Sequence, residues 1–354
     1  MLGRAAAYVV VVTMVLVAMF GGSDEISAAE FMQTPGLGSG DTIVRLPGIE
    51  SGISQAPSAI GVRSPDGRTR LIMLTGGKLA VSETALLSKA AAPGPADMMV
   101  DSEVTYGRMD IARAWLTDPT ERYRHGILGD AIEAGGLALE APDGRIARYK
   151  LDAGSVFEDR RVRLIDLDGD GRDEAIVVQS YLDAGAALAV FGLDRSNVAF
   201  LSEVPAIGRA NRWLNPVGVA DFDGDGRSEL AFVETPHIGG TLRLYEFRDR
   251  KLHEDHAARG FSNHAIGSRE QSQAAVYDWT GDGVPDIAVP DARRSAIRFV
   301  SFAGGRFREF DRVKHNQKII TAVRPALLDN SGTVYAVYGL ADGTIVAVGL
   351  DSGN

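Results

Sequence analysis

Three short acidic loops, spaced almost evenly along the chain, constrain what it can fold into more than any other feature. The first is Asp166-Leu167-Asp168-Gly169-Asp170-Gly171-Arg172-Asp173-Glu174. The second runs from Asp221 through Asp223, Asp225, Gly226 and Arg227 to Glu229, and the third from Asp278 through Thr280, Asp282, Gly283 and Val284 to Asp286. Their starts at 166, 221 and 278 lie 55 and 57 residues apart, so the loops mark a repeat. Oxygen-bearing side chains at positions 1, 3 and 5, with Gly at position 6 for a sharp turn, suit a hard cation of calcium size. A backbone carbonyl at position 7 (Arg172, Arg227 or Val284) and the carboxylate at position 9 (Glu174, Glu229 or Asp286) complete the expected ligand set. Magnesium is the alternative ion, but it keeps several waters and near-ideal octahedral geometry, which a loop with so many protein oxygens does not suit.

These loops are not EF-hands, because an EF-hand places a bidentate Glu at position 12 and a helix on either side. Position 12 here is Val177, Phe232 or Val289. Each loop is entered and left by short apolar, β-branched runs, such as Val162-Arg-Leu-Ile before the first and Ala175-Ile-Val-Val after it. The unit is strand, cation loop, strand. Further runs and turns follow each loop, giving four strands per unit, the content of one propeller blade.

A strand–DxDGDGxx(D/E)–strand pattern at this spacing resembles the FG-GAP and VCBS repeats of calcium-bearing β-propellers, in integrin alpha subunits and in secreted bacterial proteins. The match covers roughly residues 160 to 310, and two positions depart from it: Glu stands at position 9 in the first two loops, and Thr280 replaces a carboxylate in the third. The resemblance implies an all-β fold, a β-propeller of six or seven four-stranded antiparallel blades, holding up to three calcium ions, with the third loop the weakest. The calcium-loop blades would span about 160–318 within a propeller over 56–354. A blade without a cation loop is expected around His125–Leu151. A last unit from Ile319 has an eroded loop at Leu327–Gly332 that starts at Asp329, 51 residues after Asp278. Thr84–Ala92 reads as a short helix, and residues 96–124 give no clear pattern.

Charge supports the same view. The ligand positions hold four, four and three carboxylates, and without these eleven the net charge of −10 becomes +1. The acidity belongs to the loops, and no basic stripe with interleaved aromatics points to nucleic acid. The chain has no Cys, which excludes disulfides, so an exported form would need another staple. Export is expected because Arg4, an apolar run from Tyr8 to Phe20 and Ser27-Ala28-Ala29 form a signal-peptide pattern over 1–29, with cleavage after Ala29. The apolar stretch is short for a membrane span of about 20 residues, which disfavours the alternative of an uncleaved anchor. Residues 30–55 are rich in Gly, Pro and Ser and read as an extended arm. The mature protein is expected in the periplasm or outside the cell, as a monomer with no stable membrane association.

Fold and cation do not dictate an activity. One reading is a non-enzymatic module that presents a face to a protein or glycan, and another is a purely structural envelope component. The alternative is an enzyme acting on an exported polysaccharide or similar substrate. The candidate face comprises Asn215, Glu234, His237, Asn263, His264, Arg269 and Glu270, which fall in successive connections between strands. The competing reading of His237 and His264 is that they pack between blades or cap turns. No nucleophile elbow, phosphate loop, His-Glu-x-x-His or dinucleotide fingerprint is present. His253-Glu-Asp-His256 reads as a solvated turn, since two His three residues apart are thin for zinc.

Overall fold

The strands that follow the acidic loops are apolar on both faces because both faces are covered. In the computed structural model, which describes residues 28–33, 36–46, 59–87 and 94–350, there are 25 strands and no helix among the described residues. In chain order they begin with β1 Ala28–Gln33, β2 Thr42–Arg45, β3 Ile60–Arg63, β4 Arg68–Thr75 and β5 Lys78–Leu87. Next come β6 Thr105–Tyr106, β7 Arg113–Thr120, β8 Glu133–Glu140, β9 Ile146–Lys150 and β10 Ser155–Phe157. The first two loop-bearing units are β11 Arg163–Ile165, β12 Glu174–Tyr181, β13 Gly185–Asp194 and β14 Asn197–Glu203, then β15 Leu214–Ala220, β16 Glu229–Glu234, β17 Thr241–Arg248 and β18 Lys251–Arg259. The chain ends with β19 Ala275–Tyr277, β20 Asp286–Pro290, β21 Ala296–Ser301 and β22 Arg308–Lys314, followed by β23 Arg324–Leu327, β24 Val334–Gly339 and β25 Ile345–Leu350.

All pairings between these strands are antiparallel. They make four sheets of four strands and one of nine. The nine-stranded sheet resolves into two four-stranded groups, β6–β9 and β11–β14, bridged by β10, which pairs with both β8 and β12. Six four-stranded groups therefore follow one another along the chain. Burial falls off across the four groups that end in β9, β14, β18 and β22. The inner pairs are almost wholly buried, as in β20 and β21, whereas the last strands β9, β14, β18 and β22 expose one side. Sandwiched strands need continuous apolar runs, while edge strands carry charge that blunts an open edge.

The hydrophobic clusters lie between successive groups. One joins β11–β14 to β15–β18 through Val178, Val190, Phe232 and Tyr245. Another joins the last group to the first, placing Ile60, Val62 and Ile72 against Tyr335, Val337 and Ala347. The first strands of all six groups face one cavity of about 720 Å³, reached by Arg45, Tyr106, Arg163, Val219 and Arg324, with Ala274 just ahead of β19.

Several expectations are corrected. The stretch 30–55 is not wholly an arm: most of β1 and all of β2 fall in it, and each belongs to a sheet. β1 is the fourth strand of the β23–β25 sheet, pairing Ala28 with Leu350 through to Gln33 with Ile345. The helix expected at Thr84–Ala92 is absent up to Leu87, because Ala85, Leu86 and Leu87 pair with Arg70, Thr69 and Arg68 of β4. Residues 96–124 contain β6 and β7. Residues 1–27 of the expected signal peptide lie outside the described residues.

Candidate metal centres

Each acidic loop is wound around its first aspartate. Asp166 Oδ1 accepts the Gly169 amide at 2.8 Å and its Oδ2 accepts the Gly171 amide at 3.0 Å. Asp221 does the same with Gly224 and Gly226, and Asp278 with Gly281 and Gly283. The position-5 carboxylates of Asp170, Asp225 and Asp282 each accept the amide two residues on, at 2.9 Å in all three loops. Winding this tight needs left-handed backbone at position 6, where Gly171, Gly226 and Gly283 have φ of 85°, 91° and 88°.

Position 9 is the buried floor of the loop. Glu174, Glu229 and Asp286 accept the amide of position 2 (Leu167, Phe222 and Trp279) at 2.7, 2.7 and 3.0 Å. Those position-2 side chains are themselves buried, so hydrophobic anchorage holds a carboxylate under a ring of others. Burial, then the loop's own aspartates acting against a backbone hydrogen bond, push Glu174 up to about 7 and Glu229 up to about 8. Burial pushes Asp286 up to about 6. Carboxylates packed in this way lack a counter-charge, and a cation supplies one.

Oxygens of Asp166, Asp168 and Glu174 lie within 4.8 Å of one another, as do those of Asp221, Asp223, Asp225 and Glu229. These clusters can hold a metal ion. Among the described residues no trio in the third loop meets that distance; there Thr280 Oγ1 turns toward Asp278 Oδ1 at 3.4 Å.

Loops one and two also tie neighbouring groups together. Asp110, between β6 and β7, accepts from Arg172 Nε at 2.9 Å and from the Asp173 amide at 2.8 Å. The Gly304 amide, between β21 and β22, donates to the Asp223 carbonyl at 2.8 Å. Within the second loop's own group, Arg227 reaches Glu246 of β17 at 3.1 Å. The sequence reading missed Asp255 and His256, which gather with Asp223. They lie on β18, a polar edge strand that resembles a solvated turn in sequence. The Arg248-Asp249-Arg250-Lys251 turn was the available signal that the chain doubles back as a hairpin, and in the structure Arg248 pairs with Lys251 across it.

The expected partner face is only partly a surface. Asn215, Asn263 and His264 are 0% exposed and are corrected to interior positions. Asn215 Nδ2 donates to the Asn263 and Gln271 carbonyls, and Asn263 Nδ2 donates back to the Asn215 carbonyl at 3.0 Å. Buried amide donors must find such partners, and here they knit β15 to the connection between β18 and β19. Glu234 forms a two-point ion pair with Arg243, Arg269 bridges Asp101 and Asp130 at the surface, and Glu270 accepts from Thr42 and the Ser272 amide.

His237 and His264 do meet, with His237 Nε2 and His264 Nδ1 3.0 Å apart. His264 Nε2 lies 2.9 Å from the Ser268 carbonyl, which can only accept, so that nitrogen carries the proton. His264 Nδ1 is then the acceptor and His237 Nε2 the donor. Trp213 stacks on His237 and tilts against His264. Burial first, and then neighbouring charge, holds His237 down at about 4 and His264 at about 3.

The unfolded chain takes up these protons near 6.5, before the folded one does. The pair's contribution to stability is complete above that pH and is lost as pH falls towards 4. His264→Gln is expected to lower the melting temperature at pH 7 and to flatten its decline between pH 6.5 and 4. A decline as steep as in the parent chain would mean that other groups set it.

No protein-family model matches the chain, and no curated protein matches it.

Proposed function

We propose that the chain is an exported, calcium-stabilised β-propeller of six blades that acts as a non-enzymatic binding module for a protein or glycan. Its relationship to the FG-GAP and VCBS repeats is part of the same proposal. The observation that carries the fold reading is the pairing of β1 with β25, because it gives the last group a fourth strand from the opposite end of the chain. Six groups joined in that way form a ring, which solves the open-edge problem of all-β architectures. The first strands of the groups would then line the axis, as the shared cavity suggests.

Calcium is the ion favoured by the donor set, which is all oxygen, mostly carboxylate, and wound on a flexible loop. Asp166, Asp168 and Glu174 would hold one ion, and Asp221, Asp223, Asp225 and Glu229 a second. Asp278, Asp282 and Asp286 would hold a third more weakly. Extracellular calcium modules have Kd values of roughly 10⁻⁴ to 10⁻³ M, so such sites fill outside the cell. A bound ion would fix the inter-strand connections and stiffen the frame around the cavity.

Binding is favoured over catalysis because the two histidines nominated for chemistry are spent on each other, on Trp213 and on a backbone carbonyl. The test is to incubate the calcium-loaded protein with a panel of neutral and acidic polysaccharides and with envelope proteins. Retention and product release are measured on the same samples. Retention of one component without turnover supports the module. Release of new chain ends, abolished by substitution of a single residue, would make the protein an enzyme.

A further inference from the structure

The cavity shared by the six groups is basic in a protein that is acidic overall. Six arginines line it (Arg45, Arg63, Arg108, Arg161, Arg163 and Arg324), and Glu103 is the one carboxylate among its lining residues. Net charge of the whole chain is −10, so this local excess is not a sample of the average surface.

Some of these cations are already engaged. Arg163 pairs with buried Asp159 at 2.7 Å, and Arg63 Nε reaches Thr69 Oγ1 at 3.4 Å. Arg161 Nη2 donates to Ser272 Oγ at 3.1 Å. The nearby carboxylates are engaged as well. Glu103 lies 3.6 Å from Arg160, and Glu270 accepts from Thr42 and the Ser272 amide. Arg161 Nε and Arg324 Nε are both buried and without a hydrogen-bond partner. Burial, followed for Arg161 by the like charge of Arg163, lowers both guanidinium groups from the ordinary arginine value. The carboxylates that act on them, Asp159, Glu103 and Glu270, are shared with other partners, and buried cations matched only in part are costly unless something else supplies the charge.

The two residues also hold equivalent places in the repeat. Arg161 is five residues ahead of Asp166, and Arg324 is five residues ahead of Asp329. One position of the repeat therefore sends a guanidinium toward the common cavity from two different groups. Arginine forks match carboxylate, phosphate and sulfate oxygens in two-point contacts. The rest of the wall includes Val44, Val162, Leu164 and Val219, which suits the C–H face of a ring. Tyr106 lines the cavity and is 62% exposed, so the space reaches solvent. At about 720 Å³ it has the size of a small-molecule site.

We propose that this cavity binds a sugar-sized organic anion, with Arg161 and Arg324 gripping its carboxylate, phosphate or sulfate group. The inference rests on the reading of the chain as a binding module and assigns the ligand class. It does not depend on which ion fills the acidic loops.

Calorimetric titration of the calcium-loaded full-length chain with galacturonate, glucose 6-phosphate and glucose 6-sulfate, beside neutral galactose and glucose, is the test. At least one anion is expected to bind with Kd below about 1 mM and to raise the melting temperature, and the neutral sugars are not. The three anions separate the possible sources of the charged group. Arg161→Gln and Arg324→Gln are each expected to weaken the binding roughly tenfold or more, and Arg324→Lys to weaken it less. If neither glutamine variant folds, the contrast between anionic and neutral sugars in the parent chain decides the matter. Equal binding of neutral sugars would overturn the anion assignment and leave the module intact. No binding of any probe, or binding indifferent to both arginines, would overturn the proposal, while the polysaccharide and protein panel still judges the module.

Discussion

Adding calcium to the chelator-stripped chain is expected to raise its melting temperature by about 6 °C, and magnesium by much less. The size follows from linkage. At about 5 mM calcium and a Kd of about 10⁻⁴ M, each filled site contributes roughly 2 kcal/mol, and two good sites give a shift of that order. Asp168→Ala and Asp223→Ala are each expected to remove about half of the rise, because their loops gather oxygens within one coordination distance. Asp282→Ala is expected to remove less, since the third loop has Thr280 in place of a carboxylate. These positions are better probes than Asp166, Asp221 or Asp278, whose carboxylates each bind two or more loop amides and so hold the loop's shape even without an ion. Identical melts in calcium, magnesium and chelator would remove calcium from the account.

Removing β1 is the second large perturbation. A chain that begins at Gly36 loses all six pairs with β25 and leaves Val346 and Val348 beside an open edge. Antiparallel pairing of that length contributes several kcal/mol at about 1 kcal/mol per hydrogen bond, before side-chain burial is counted. The melting temperature is expected to fall by at least about 10 °C, with self-association through the exposed edge. A chain beginning at Glu30 keeps the pairs from Glu30 to Gln33 and is expected to lose little. Equal melting and a monomeric state for both truncations would mean that β1 is an ornament and that the β23–β25 sheet does not need it.

What the sequence disclosed was local. The acidic loops are legible because their geometry is written in nine consecutive residues, with glycine where left-handed backbone is needed and an apolar residue at position 2. The apolar runs around them are legible because strands covered on both faces have no polar face to conceal them. Relations between distant segments were hidden. Nothing in Ala28–Gln33 says that its partner is Ile345–Leu350, and so the N-terminal stretch looked like a loose arm. Thr84–Leu87 looked helical because a four-residue extension of a hairpin has little periodicity of its own. Asn215, Asn263 and His264 looked like surface because polar residues in connections usually are. Only the packing shows that all three are interior, with Asn215 and Asn263 donating to each other's carbonyls and His264 bonded to His237 and the Ser268 carbonyl. Arg161 and Arg324 are dispersed along the chain, and only alignment of the repeats on their loops brings out their common position.

The pairing of β1 with β25 also bears on how the molecule comes into being. Gln33 and Ile345 are partners 312 residues apart in the chain, counted as 345 − 33. Contacts of such long range are the slowest to form, because loop-closure entropy is lost before any contact rewards it. Gln33 emerges from the ribosome long before Ile345, so β1 must wait for β25. Until then the earlier sheets can form one by one while β1 stays unpaired, with the β25 strand still to arrive. On the proposed export, β1 would pair only after β25 had crossed the membrane, in the compartment where the acidic loops would meet calcium.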